Sequence, residues 1–262
     1  MTRLDWNPIG SKIFETGVDR GVLYVPGQNG VVWNGLVSVI ETPSGGETRS
    51  FYYDGKKFLT VASSEEMAGT INAYYSPPEF DICDGSLEPK DGVYAWQQRR
   101  SSFGLSFRTK TGNDINGLDS SYKIHIIYNI LASPSERPYK TNSSEPEPLV
   151  LSWEYTTKPV PFPGCMPTAH ITIDSAKASA SIVSEIEDIL YGSYTTNARL
   201  PLPYEILSLF GAYDIQVVDN GNGVFTIFGD PVAVTFLSDG TYRITSESVV
   251  QITDGEFNIS ST

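Results

Sequence analysis

Cysteine, histidine and positive charge are all scarce in this chain. Among its 262 residues there are two cysteines and two histidines. Cys83 and Cys165 cannot build a disulfide framework and match no paired metal-ligand spacing, so they read as two buried, reduced thiols. His125 and His170 leave little room for a histidine-based metal site, and no HExxH, paired CxxC, Walker loop or GxSxG elbow occurs. No catalytic residue, metal or cofactor is therefore expected. Basic residues number 18 against 31 acids, a formal charge of −13, which argues against gripping a phosphate backbone. No stretch approaches the roughly 20 apolar residues of a membrane helix. The opening Met1-Thr2-Arg3-Leu4-Asp5-Trp6 also lacks the apolar core of a signal peptide. A soluble chain made in the cytosol, away from membranes, is the expectation.

What the chain has is β character. It carries 23 glycines and 17 prolines, which punctuate short stretches rich in Val, Ile, Tyr, Phe and Thr. From Phe103 to Arg108, period two sets Phe103, Leu105 and Phe107 on one face and Gly104, Ser106 and Arg108 on the other, the pattern of a half-buried strand. Leu149, Leu151, Trp153 and Tyr155 alternate with polar or smaller neighbours in the same way, and Lys123 and His125 stand opposite Ile124 and Ile126 in the segment Tyr122 to Ile130. On that polar face His125 is expected to be hydrogen-bonded or at an interface. Further strands are expected at Val31 to Ile40, Arg49 to Tyr53, Phe58 to Ala62, Gly69 to Tyr75 and Thr168 to Ile173, buried by two sheets packed face to face.

Two helices interrupt this texture. Ile182, Val183, Ile186, Ile189 and Leu190 recur at three-to-four-residue spacing, with Gly192 closing the run, which predicts an amphipathic helix over 180–191. A shorter helix is predicted from Pro203 to Phe210, Pro being well tolerated in a first turn. Between two good strands, residues 133–148 are crowded with Ser, Pro, Glu and Asn and read as a long exposed loop, a natural arm in an assembly. After Gly211 come Asn220-Gly221-Asn222-Gly223, Asp239-Gly240 and Asp254-Gly255, hairpin signals that predict a small antiparallel unit over 212–262. That unit holds seven acids and one base, Arg243, a net −6. The cluster from Gly112 to Asp119 is oxygen-rich but lacks the spacing of a calcium loop and reads as a turn.

An ordered series of short motifs carries a family likeness. Trp6-Asn7-Pro8-Ile9-Gly10, Glu15-Thr16-Gly17-Val18-Asp19-Arg20-Gly21-Val22-Leu23-Tyr24 and Val32-Trp33-Asn34-Gly35-Leu36 come first. Tyr53-Asp54-Gly55-Lys56, Thr70-Ile71-Asn72-Ala73-Tyr74, Pro78-Glu79-Phe80 and Cys83-Asp84-Gly85 follow. Then come Phe103-Gly104-Leu105-Ser106-Phe107-Arg108-Thr109, Gly112-Asn113-Asp114 and Glu187-Asp188-Ile189-Leu190-Tyr191-Gly192 before Arg199-Leu200-Pro201. Together they resemble the major tail tube proteins of long, non-contractile-tailed phages, the siphophages, particularly those of actinobacteria. The likeness covers about residues 5–205, with a looser match after Gly211 to the variable domains such proteins display outward.

The resemblance implies a tail-tube-type β-sandwich or barrel over 1–205, with an acidic C-terminal β domain over 212–262 facing outward. It implies rings, usually hexamers, that stack into the tail tube of the virion after assembly in the host cytoplasm. Its partners would be further copies of itself and the tape measure, tail terminator and distal tail proteins. DNA would pass through without specific binding, since like charge on wall and duplex discourages sticking within a screening length of about 8 Å. Exposed strand edges would supply the ring contacts, and closure would limit growth in the plane. Asp19 and Arg20, between glycines, and Arg99, Arg100 and Arg108 are the expected interface charges, because Arg pairs bidentately with carboxylates. Trp6 is an expected anchor on a neighbour, whereas Trp33 is expected in the core. Trp33, Trp96, Trp153 and the many acids leave two other readings, a β-sandwich carbohydrate-binding protein and a glycoside hydrolase with a carboxylate pair. Neither accounts for the ordered motifs.

Overall fold

The computed structural model describes residues 6, 8–62, 65–137, 139, 141 and 148–211, together with the backbone of six short strands beyond them. The chain is mainly β, 47% strand against 14% helix, and its ladders are antiparallel. Among the described residues no helix is long and apolar enough to cross a membrane. Two compact units are present, one built from 1–160 and 167–200, the other from 161–166 and 201–262.

In the first unit, β1 (Ile13–Tyr24), β2 (Val31–Val32) and β3 (Leu36–Glu41) are followed by β4 (Ser44–Gly45), β5 (Thr48–Tyr53), β6 (Lys56–Ala62), β7 (Glu65–Glu66) and β8 (Ala68–Ala73). A single-turn helix, α1 (Asp81–Asp84), leads into the hairpin of β9 (Ser86–Lys90) and β10 (Val93–Trp96). The long strands β11 (Phe103–Asn113) and β12 (Gly117–Ala132), then β13 (Leu151–Thr157), β14 (His170–Asp174) and the helix α2 (Ala180–Tyr191), complete it.

The main sheet is one ladder in the order β2-β1-β11-β12-β13-β8-β3, with β14 also on β12. Strand β12 divides its edge. Lys123 to Ile127 pair with β14, and only Ile130 to Ala132 pair with β13. The expected two layers are therefore halves of a single sheet joined at this corner, and their inner side chains share one core. Leu23, Phe103, Leu105, Ile127 and Ile130 come from one half; Ile71, Ala73, Trp153 and Tyr155 come from the other. Trp33 and Phe80 fill the middle, with ring centroids 4.7 Å apart, and Trp33 Nε1 donates to the Tyr75 carbonyl at 2.8 Å.

Strand β11 corrects the half-buried expectation, because its whole stretch from Phe103 to Phe107 is buried. Helix α2 covers the outer face, burying Val183, Ile186 and Leu190; each side chain of this size contributes about 1.5–3 kcal/mol. The helix starts where Ser179 Oγ accepts from the Ile182 N–H at 3.4 Å and stops at Gly192, whose φ of 83° suits glycine. Tyr24 fastens the helix end: its hydroxyl donates to the Leu190 carbonyl at 2.8 Å and accepts from Ser106 Oγ at 2.9 Å.

Cys83 is buried in α1, but Cys165 is exposed, which corrects the expectation of two buried thiols. It lies in a turn closed by its own N–H on the Phe162 carbonyl at 3.1 Å, and a tight turn offers its side chain no core to enter. Of the Gly112 to Asp119 cluster expected to be a turn, Asp114 to Asn116 form it and the flanking residues belong to β11 and β12; Asn113 Oδ1 organises it by accepting from the N–H groups of Ile115 and Asn116.

In the second unit, α3 (Pro203–Leu209) has Glu205 accepting from the Leu202 N–H at 2.7 Å. It is followed by three separate hairpins. These pair β15 (Gln216–Asp219) with β16 (Phe225–Phe228), β17 (Ala233–Phe236) with β18 (Tyr242–Thr245), and β19 (Val249–Ile252) with β20 (Glu256–Ile259). The turn residues predicted there, Asn220-Gly221-Asn222-Gly223, Asp239-Gly240 and Asp254-Gly255, lie outside the described residues.

Candidate assembly surfaces and a buried histidine pair

The segment richest in family-like residues is a distorted strand. Strand β1 slips register twice against β11, between Thr16 and Val18 and between Asp19 and Val22, and Arg20 has a φ of 48°. Such bulges re-aim side chains. Here the second one turns both Asp19 and Arg20 toward α2. Arg108 grips Asp19 with two bonds, Nε to Oδ1 at 2.9 Å and Nη2 to Oδ2 at 3.1 Å, and reaches Glu187 at 3.3 Å. Its guanidinium also lies 4.4 Å from the centre of the Tyr122 ring. This guanidinium holds the Asp19 carboxyl below its ordinary value of 3.8, against the opposing effect of burial. Arg20 approaches Glu187 at 3.5 Å and lies over Tyr191.

The expected interface residues thus divide. Asp19 and Arg108 are engaged within the subunit, and so is Arg100, which donates through Nε and Nη2 to the Asp84 carbonyl at 3.1 and 2.8 Å. Arg20 is half exposed, and Arg99 and Trp6 are exposed. The loop 133–148 lies partly outside the described residues. Its beginning is tied to its own subunit: the Ser133 N–H donates to the Glu154 carbonyl, Arg137 pairs with Asp84, and the Arg137 guanidinium lies over Trp96.

A group of exposed apolar side chains belongs to an element that carried only a short motif in the sequence. Beyond the β3–β8 ladder the same two chain segments pair again as β4 with β7 and then as β5 with β6, so a two-stranded ribbon leaves the sandwich. Its tip turns on Asp54 and Gly55, both at positive φ, as a tight two-residue hairpin requires. Phe51, Tyr52, Tyr53, Phe58, Leu59 and Val61 are all exposed on it, Tyr53 at 76% and Phe58 at 77%. The β9–β10 hairpin separately exposes Leu87, Val93, Tyr94 and part of Trp96. Isolated two-stranded ribbons are marginal in water, and large exposed apolar patches are where proteins make contacts.

A second cluster lies at the polar end of the sandwich core. Two histidines separated by 45 positions form no motif, yet the pairing of β12 with β14 brings His125 Nδ1 to 3.1 Å from His170 Nε2. His125 stacks on Phe107 at 4.7 Å, nearly parallel, and its Nε2 meets Thr109 Oγ1 at 2.9 Å. Thr109 in turn donates to Glu15, which is also bonded by Lys123. His170 Nδ1 faces Glu41 Oε1, from the other layer, at 3.4 Å. Burial pushes His125 down to about 4, and the neighbouring His170 acts in the same direction. His170 is lowered as well, by burial against the pull of Glu41.

No protein-family model matches the chain, and no curated protein is matched by it.

Proposed function

We propose that this chain is a structural subunit of a siphophage virion, self-assembling into stacked, hexameric rings that form the tail tube through which DNA passes during ejection. The observation that carries this reading is the β5–β6 ribbon, whose aromatic side chains stand in water on a single subunit. Another copy of the same chain is the occupant that the ordered motif series favours. A ribbon laid against a neighbour's sheet would bury those rings and satisfy exposed strand edges in one step. In this reading the tape measure, tail terminator and distal tail proteins meet the ends of the polymer, and the acidic residues 212–262 decorate the outside.

The test is direct. Purified full-length protein, concentrated and viewed by negative-stain electron microscopy, is expected to show rings or tubes of one protein. The double variant Phe51→Ser, Phe58→Ser is expected to remain a monomer with unchanged far-ultraviolet circular dichroism and a stability within about 0.5 kcal/mol of the parent, the usual effect of exposed substitutions. A parent that stays monomeric at high concentration, or a variant that still forms rings, would rule the reading out.

A further inference from the structure

The buried histidine pair has the geometry of a metal site, independently of the assembly reading. His125 Nδ1 and His170 Nε2 are 3.1 Å apart, and Thr172 Oγ1 lies 3.4 Å from the first and 3.3 Å from the second. Three polar atoms so spaced outline one face of a tetrahedron whose centre lies about 2.0–2.1 Å from each corner, the length of a zinc–nitrogen bond. No other histidine exists in the chain.

The outer nitrogens determine where the ring lone pairs point. Thr109 has one hydroxyl proton and donates it to Glu15 Oε1 at 2.5 Å. Its oxygen therefore accepts from His125 Nε2 at 2.9 Å, which fixes the proton on that nitrogen and leaves the Nδ1 lone pair facing His170. On His170 the Glu41 carboxylate sits 3.4 Å from Nδ1 and calls for a proton there, leaving Nε2 as the lone-pair nitrogen. Two lone pairs at 3.1 Å repel unless a proton or a metal ion stands between them. Imidazoles anchored through the outer N–H by carboxylates or hydroxyls are how metal-binding histidines are held. Glu41, His125 and His170 cluster, one donor atom from each lying within 4.8 Å of the others, and Glu41 serves here as the outer anchor of the His170 ring. The site is reachable, since the Glu41 side chain is 42% exposed and that of His170 19%.

We propose that this end of the sandwich binds one divalent late first-row transition ion, zinc being the expected one, between His125 Nδ1 and His170 Nε2, with Glu41 and the Thr109–Glu15 pair holding the rings. Imidazole donors favour zinc, cobalt, nickel or copper over calcium or magnesium. The ion would tie β12 to β14 and, through Glu41, to β3 of the opposite layer.

The full-length protein, stripped by a chelator and exchanged into chelator-free buffer near neutral pH, is titrated with Co²⁺ and then Zn²⁺. One Co²⁺ per chain with visible absorption bands, displaced by an equivalent of Zn²⁺, is expected, together with a rise in Tm on Zn²⁺ addition. His170→Gln should abolish the bands. Glu41→Gln, which leaves both rings in place, should weaken Zn²⁺ binding about 10–100-fold. Absent bands and an unchanged Tm in the parent overturn the proposal, as do bands that persist in His170→Gln. Should His170→Gln fail to fold, diethylpyrocarbonate modification of the parent decides the matter: Zn²⁺ must protect both histidines, and equal modification with and without Zn²⁺ overturns the proposal.

Discussion

The bond between Arg108 and Asp19 shows how a residue chosen for one role can be occupied by another. Its position in a family-like strand suggested a contact between subunits, yet the bulge at Arg20–Gly21 brings both charges under α2. Replacing Asp19 with Asn removes the charge and keeps the shape, and the expected loss is on the order of 1–2 kcal/mol in urea unfolding, between an exposed pair and a buried one. The pH dependence has a definite sign. Because the folded-state value of Asp19 lies below 3.8, the unfolded chain takes up the proton first as pH falls. The contribution is whole above 3.8 and drains away below it. Urea midpoints of parent and Asp19→Asn should therefore converge in that acid window; a gap unchanged through it would contradict the assignment. The histidine pair was illegible at this scale for a simple reason. Strand pairing at long range brings the rings together, and local spacing carries no trace of it.

At the scale of elements, periodicity read β13 and α2 well, because each has one unbroken phase, and it located β12 although a register shift against β11 and Asn129 at a φ of 48° interrupt that strand. It missed β1, whose two bulges shift the phase of the alternation part-way along, and it misjudged the outer face of β11, which a helix from a distant segment covers. The β3–β8 ladder turns on a residue that a reading of periods passes over. Gly69 pairs with Tyr155 on one side and Glu41 on the other. A Cβ there would run into the Ile40 carbonyl oxygen and come within 2.7 Å of the Tyr155 hydroxyl. Backbone cannot step aside as a side chain can. Gly69→Ala should cost about 3 kcal/mol, at the upper end for overpacking. Gly104→Ala, which meets only the flexible tip of Leu200, should cost less. Thermal unfolding of the two variants side by side tests the order, and a reversed order would show that the β3–β8 ladder yields more readily than its geometry suggests.

For the whole molecule, composition alone indicated a mainly β chain, and its turn dipeptides indicated that the texture changes after Gly211. The three-pair junction between β12 and β13 was not legible, since it depends on where β12 stops following β14 and takes up β13. If residues 212–262 are an outward decoration, a chain ending at Gly211 should still form rings of the parent diameter by electron microscopy. Loss of rings with retained β circular dichroism would give that segment a part in assembly. The contrast between the two sulfur atoms has a practical consequence. Cys83 is sealed in the interior, with its thiol pushed up by burial to about 12, whereas Cys165 stands open at a turn. A maleimide dye or spin label should therefore attach at one point per chain without any change to the gene. If the chains assemble as proposed, distances between such labels would measure the repeat.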